Sequence, residues 1–416
     1  MNENKREKSY MLIIPKQEEE LQNIELIMDR IRNSPYFTVK DMCLGEDGCP
    51  LNVIEYHGDT YSFSLYPEDF HIPEMFRVQH FFEDVDVEEI DKRSVGLIIA
   101  MEFSEKSLES YHLQLRIIDT IFPESIGVLD YSAEKILSGA WVNLAARCNT
   151  LPAPRYLFTT QAVFASDEDI WLHTHGLNRC GLMELEVLGS TKKASQNHYN
   201  VIETVAARLI EEPDLFDDGG AVYVAKMCNN QPLVVTWVPW QEAMNTIEEG
   251  TIGGPADRTE EGGHDGYTGS IFVYATPDDM DNNKYSHISI YDELLENNPM
   301  FMFTNEETAR MKSLAIERVD YMKKAFGGIA KAVLVKVGLI IDEEYQTEKN
   351  KYEHIWFELK SISEDGFTAE LTQEPYMVSG MHTGDVGSYS YDQITDWLIF
   401  TDKNRISPDE VYLMDI

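Results

Sequence analysis

Apolar and polar positions along this chain follow two rhythms, and the opening residues show both. Residues 10–14 form a short apolar run closed by Pro15, which predicts a strand. Leu21, Ile24, Met28 and Ile31 then recur at helical spacing until Ser34 and Pro35 interrupt them. Residues 53–56 and 61–65 flank His57, Gly58 and Asp59, the pattern of a hairpin. A second unit starts near Ser94. Residues 95–101 read as a buried strand, Leu108, Tyr111, Leu115, Ile118 and Phe122 mark a helical stripe ending at Pro123, and residues 126–129 return as a strand.

Successive strands are expected over 156–188, then a helix from about Asn200 with Ile202, Val205, Ala206 and Leu209 on one face, then strands at 222–227 and 233–237. Residues 250–269 are rich in glycine and acids, contain Pro255, and lack the Gly-Lys-Ser/Thr ending of a phosphate loop. They read as a mobile loop, or as a lid over a site. After Asn297, Asn298 and Pro299, Thr304 and Glu307 have the spacing of a capping box. Met311, Leu314, Ala315, Val319 and Met322 predict one helix that ends near Gly327 and Gly328. Strands follow at 332–340, 353–362, 366–370 and 385–390.

The expected class is α+β. A large N-terminal part over 1–300, with mixed sheets and flanking helices, divides into 1–92 and 93–300 if it divides at all. A small domain over 301–416 follows, with one helix and a mostly antiparallel, barrel-like sheet.

Composition narrows the function. The 416 residues carry 73 acidic against 34 basic side chains, a formal net charge of −39, with acids clustered at 83–91, 211–218, 278–281 and 342–344. Phosphate neutralisation needs basic stripes, so nucleic acid is not an expected partner. An acidic surface keeps a protein soluble, and it also draws in a basic protein. The polar first residues carry no apolar core of a signal peptide and no run is long enough to span a bilayer, so a cytoplasmic protein without membrane contact is expected. Five cysteines are few and odd in number, which favours free thiols in a reducing compartment. Cys43 and Cys49 lack a second Cys/His pair that would complete a zinc site.

Several spaced motifs of the last 110 or so residues, in order, carry a resemblance: Lys336-Val337-Gly338, Glu353-His354-Ile355-Trp356, Gly366-Phe367-Thr368, Glu374-Pro375-Tyr376, Gly384-Asp385-Val386 and Ile394-Thr395-Asp396-Trp397. They resemble the bacterial YegJ-like domain, number 2314 among domains of unknown function. His173-Thr174-His175-Gly176-Leu177 leading into Gly181-Leu182-Met183-Glu184-Leu185-Glu186-Val187 is similar to the uncharacterised bacterial family numbered 4026, over most of residues 1–300. The same strand pattern resembles suppressor-of-fused-like proteins, several of which are thought to be immunity proteins against polymorphic toxins. None of these resemblances implies a particular chemistry.

His173 and His175 lie two apart on an expected strand, so both project from one face and could reach one ion. Glu184, Glu186, Cys180, His198 and His264 have suitable donors for a third ligand. Equally, both histidines could bond locally at the strand end before Gly176. Arg179 could hold a carboxylate in a bidentate pair or stand exposed in the turn. On the strand at 353–362, His354 and Trp356 face one way and Glu353 the other, as a ligand surface or as packing, while Asp396 reads as fixing the buried indole of Trp397. No serine nucleophile elbow, dinucleotide fingerprint or zincin motif is present, which counts against an enzyme, and no metal or cofactor is expected.

The reading that best fits is a protein-binding module, immunity-like in form, with a basic protein as partner and His173, His175, Arg179, Glu184, His354 and Trp356 as binding candidates. The alternatives are a metal-dependent hydrolase built on the His173/His175 strand and a small-molecule sensor closed by the 250–269 loop.

Overall fold

The computed structural model describes residues 6–44, 50–79, 82–213, 220–258, 268–297, 299–301, 305–347 and 351–414. Cys49, His264, Asn298, Thr304 and the acids Asp214, Asp217 and Asp218, all singled out by the sequence, lie outside them. Two compact units are formed, one of Met1–Arg147 with Pro152–Thr304 and one of Cys148–Leu151 with Asn305–Ile416. The described residues build three sheets, mostly antiparallel and none closed into a barrel, so the fold is α+β.

In the first unit, strands β1 (Lys8–Pro15), β2 (Thr38–Leu44), β3 (Pro50–Tyr56), β4 (Asp59–Asp69), β5 (Val95–Glu102), β6 (Ser125–Asp130) and β7 (Lys135–Ser138) form one sheet, ordered β2-β3-β4-β5-β1-β6-β7. The hairpin expected around His57 and Gly58 joins β3 to β4. Both residues take positive φ, 50° and 89°, as a two-residue turn requires. β4 and β5 are neighbours in this sheet, so a subdivision at residue 92 would cut through it.

β1 is central and antiparallel to both β5 and β6. Met11, Leu12, Ile13 and Ile14 are completely buried, and at roughly 1.5–3 kcal/mol for each large aliphatic side chain removed from water they anchor the sheet. Leu12 and Ile14 join Ile98, Ala100 and Leu129 on one face, packed under Ile72, Phe76 and Ile90. The helix Ser107–Ile121 is buried nearly all round. Its Gln114 is satisfied there, accepting from Ser9 Oγ at 2.7 Å and donating to the carbonyls of Ser9 and Ile99 at 3.3 Å.

The second sheet of this unit contains β8 (Thr159–Ser166), β9 (Asp169–His175), β10 (Glu184–Ser190), β11 (Val222–Lys226), β12 (Pro232–Pro239), β13 (Thr268–Val273) and β14 (Met300–Phe301), ordered β14-β11-β12-β13-β10-β9-β8. β10 and β13 run parallel, so the sheet is mixed. The helix Ser195–Glu211 packs on it through Val201, Ile202, Val205, Ala206 and Leu209.

The second unit holds β15 (Ala332–Ile340), β16 (Tyr352–Ile362), β17 (Gly366–Leu371), β18 (Val386–Ser390), β19 (Ile394–Phe400) and β20 (Arg405–Ile406), ordered β18-β17-β16-β15-β19-β20. The expected barrel-like closure is absent. β18 and the two-residue β20 stand at opposite edges of an open sheet. The single expected helix is two, Asn305–Glu317 and Val319–Phe326. The chain breaks at Arg318, whose backbone leaves helical values and whose buried guanidinium donates to the Pro408 carbonyl at 2.7 Å. Trp397 is fully buried, and its indole N–H donates to Ala315 O at 2.8 Å. Asp396 accepts from the Trp397 backbone N–H and not from the indole.

Candidate functional site

β9 and β10 meet in a turn whose geometry requires glycine at Gly176. Its φ is +113°, and a Cβ there would stand 2.5 Å from the Leu157 carbonyl. Glu184, at the start of β10, closes the turn: its carboxylate accepts from Thr174 Oγ1 at 2.6 Å and from the backbone N–H groups of Gly176 and Asn178 at 2.9 and 3.1 Å. Burial pushes this carboxyl up to about 7, while the three donors pull the other way.

Arg179, which the sequence left between a binding role and an exposed turn position, is wholly buried. Its bidentate partner is a carboxylate of its own fold: Nη1 and Nη2 donate to Asp130 at 2.9 and 3.0 Å, and Nη1 donates also to Ser9 Oγ at 3.1 Å. The guanidinium lies over the Tyr111 ring, 5.1 Å from its centre. Arg179 therefore ties the β9–β10 turn to the end of β6 and serves as a fold element.

His173 and His175 do share a face of β9, with ring centres 5.1 Å apart. His175 Nδ1 lies 3.5 Å from Glu134 Oε1, and burial holds its imidazole down to about 4, so it is neutral at ordinary pH. The His173 ring lies tilted against that of Trp171, centres 4.2 Å apart, and stands opposite Glu186 on β10. The Glu186 carboxylate is taken: it accepts from Trp171 Nε1 at 2.9 Å, from Arg258 Nη2 at 2.7 Å and from Ser270. Burial pushes the Cys180 thiol up to about 11, away from the thiolate form a metal needs. Among the described residues no three His, Cys, Asp or Glu side chains are placed to share one ion.

Glu184, His175 and Arg179 border an open cleft of about 750 Å³ in the first unit. Its floor continues one face of the first sheet. The alternation that buries Leu12 and Ile14 brings Tyr10 and Lys8 of β1, Ile98 and Glu102 of β5, and Tyr66 and Glu68 of β4 to the same side, beyond the cover of Phe76 and Ile90. One wall is the β6–β7 turn with Tyr131, Ser132 and Glu134, and the other is the Gly176–Arg179 turn with Arg6 and Glu7. Five glutamates line the space, Glu7, Glu68, Glu102, Glu134 and Glu184. Of the three cations, Arg179 is neutralised by Asp130, and Arg6 donates to the carbonyls of Phe103 and Cys180 at 3.0 and 3.1 Å. Lys8 stands opposite Glu102. The balance in the cleft is negative.

Glu134 takes a left-handed backbone, φ +52°, which costs a non-glycine residue on the order of 1 kcal/mol. The carboxylate so aimed lies beside His175 and accepts from Gln161 Nε2 at 2.7 Å. The charge of Glu68 and, above all, partial burial push the neighbouring Tyr131 phenol up to about 12. None of Glu134, Tyr131, Tyr66 or Glu68 sits in a recognisable motif, because the cleft is assembled from five strands and two turns. Glu134 alone leaves a trace, as an acid in a four-residue gap between two apolar runs.

Other candidates fall elsewhere. His198 has Ser190 Oγ at 2.8 Å from Nδ1 and Asp292 Oδ1 at 2.9 Å from Nε2, the outline of a triad. Ser190 is fully buried and His198 nearly so, which makes the array a clamp between β10 and the helix after it. The described start of the glycine-rich segment is packed against the fold. Ile252 N–H donates to Asp169, Gly253 and Gly254 N–H donate to Asp257, and Arg258 pairs with Glu186 and stacks over Trp240, 4.1 Å from the ring centre. In the second unit His354 and Trp356 share the outer face of β16 and Glu353 points inward, where it accepts from Tyr376 and Met377 N–H at 2.8 Å. His354 meets Thr395, and Lys336 lies over Trp356.

Residues 9–152 match the family described as the N-terminal part of a protein of unknown function, DUF4026, residues 160–272 match its C-terminal part, and residues 316–409 match DUF2314, an uncharacterized protein conserved in bacteria. The chain matches no curated protein and no solved structure.

Proposed function

For a chain that joins both DUF4026 domains to a DUF2314 domain, families without an assigned activity, we propose a protein-binding role in which the acid-lined cleft of the first unit engages a basic partner protein. The observation that carries this reading is the unequal lining of the cleft: Glu7, Glu68, Glu102 and Glu134 border it beside the buried, raised carboxyl of Glu184, while two of its three cations are held by carbonyls or by a buried aspartate. A net charge of −39 extends the same sign over the whole molecule and speeds the approach of a basic protein. An immunity role, with a basic toxin as the partner, is the specific form the reading takes.

Capture of binding proteins from a native lysate at low salt, followed by washing at several-fold higher salt, tests it. Exposed charges separated by more than about 8 Å cease to attract at physiological ionic strength, so a basic partner should elute. Reversing the floor charges with Glu68→Lys and Glu102→Lys should abolish its capture. A partner that ignores salt and both reversals would overturn the reading.

A further inference from the structure

Two features of the cleft remain unaccounted for by a generally acidic surface: a glutamate held in a costly backbone conformation, and tyrosines collected on the floor and wall around it. A solvating acid needs neither. A four-residue turn is satisfied more cheaply by Gly or Asn at the left-handed position, yet here Glu134 takes φ +52°. The result is a carboxylate fixed from two sides, by Gln161 and by the His175 ring. A pinned carboxylate is a poor general surface but a good single-point acceptor, because little side-chain freedom is left to lose on binding.

Tyr131 continues from Tyr10 through a backbone hydrogen bond of 3.0 Å and feels the charge of Glu68. Tyr66 stands on β4, two strands from Tyr10, beside Ile98 of the intervening β5. Aromatic faces next to carboxylates attract organic cations through the ring quadrupole as well as through charge. Anions are disfavoured by the same lining, since the Arg179 and Arg6 guanidinium groups are already occupied.

We propose that the cleft between the Tyr131–Glu134 turn and the His175 turn is a site for one organic cation, the ammonium or guanidinium of a partner's Lys or Arg side chain, with Glu134 as the residue that selects it. The proposal rests on the protein-binding reading and narrows it to one side chain and one acceptor.

Titration calorimetry of the full chain with Nα-acetyl-lysine methylamide and its arginine counterpart tests it, with the norleucine amide as the uncharged isostere and spermidine as a free polyamine. The charged amides should bind, the norleucine amide should bind at least tenfold more weakly, and Glu134→Gln should weaken the charged amides about tenfold. Glu134→Gly relaxes the turn and so keeps the fold, as thermal melting should show, and it should lose the cation equally. Equal affinity for norleucine, or unchanged binding in both variants, overturns the proposal. Spermidine binding tenfold tighter than either amide would make the ligand a free polyamine and overturn the assignment to a side chain. If a basic protein is still captured in a salt-sensitive way while the amides fail to bind, the single-cation site is refuted and the wider protein-binding reading stands.

Discussion

Glu184 and His175 should pull the acid stability of the first unit in opposite directions, and removing either one should expose the other. Glu184 has its carboxyl raised from 4.5 to about 7 by burial. Its contribution is complete below pH 4.5, where folded and unfolded chains are both protonated, and is lost as pH rises towards 7. His175 has its imidazole lowered from 6.5 to about 4, again by burial. Its contribution is complete above pH 6.5 and is lost as pH falls towards 4. Each displacement, at ~1.4 kcal/mol for every tenfold change in proton activity, corresponds to roughly 3 kcal/mol over its full range. Between pH 4.5 and 6.5 the two slopes have opposite sign and nearly cancel.

Denaturant unfolding of the first unit, followed by tryptophan fluorescence at half-unit steps across that window, should therefore show the steepest rise of stability with pH in Glu184→Gln. It should show a fall in His175→Gln, and an intermediate slope in the parent protein. The expected difference between each variant and the parent is about 1 kcal/mol per pH unit, of opposite sign. Parallel curves for Glu184→Gln and the parent would mean that the three donors from Thr174, Gly176 and Asn178 keep the carboxylate ionised, and the burial-dominated account of this site would be wrong.

Arg179→Met leaves Asp130 buried without its counter-ion and should cost about 3–5 kcal/mol, whereas Arg179→Met combined with Asp130→Leu should recover most of it; equal losses in chemical denaturation would exclude the ion pair as the cause. Gly253→Ala places a Cβ 2.6 Å from Leu188 and 3.0 Å from Trp171 at φ +90° and should destabilise the first unit by roughly 1–3 kcal/mol. Protease cleavage within 250–258 should quicken with it; an unaltered digestion rate would mean that this segment is not packed. Trp397→Phe removes the bond to Ala315 O and should lower the melting of the second unit by about 1 kcal/mol or more, read by differential scanning calorimetry.

The parts of this fold that periodicity reveals are local ones. The 53–65 hairpin carries its own turn residues, and the 95–129 strand, helix and strand show an uninterrupted change from one apolar rhythm to the other. The break at Arg318 was hidden because Met311, Leu314, Ala315, Val319 and Met322 keep helical spacing across it; the cause is a carbonyl at Pro408. The open edge of the third sheet was equally out of reach, since closure depends on whether β18 meets β20 and not on the pattern within either. At the cleft, Arg179, His175 and Glu184 were legible as polar residues crowded into one glycine-marked turn. Their partners were not. Asp130 lies 49 residues from Arg179, and Glu134 and the tyrosines come from strands and a turn of the first sheet. His173 shows the limit of the strand rule, for sharing a face with His175 placed it against Trp171 and left the cleft to its neighbour.

The central position of β1 bears on how the chain comes off the ribosome. This strand is made before both of its neighbours, β5 and β6, which end at Glu102 and Asp130. At translation rates of roughly 5–20 residues per second, the run from Met11 to Ile14 waits on the order of ten seconds before its second partner has been synthesised. Until then at least one edge of the strand has no partner, and its four large apolar side chains are open to holding chaperones.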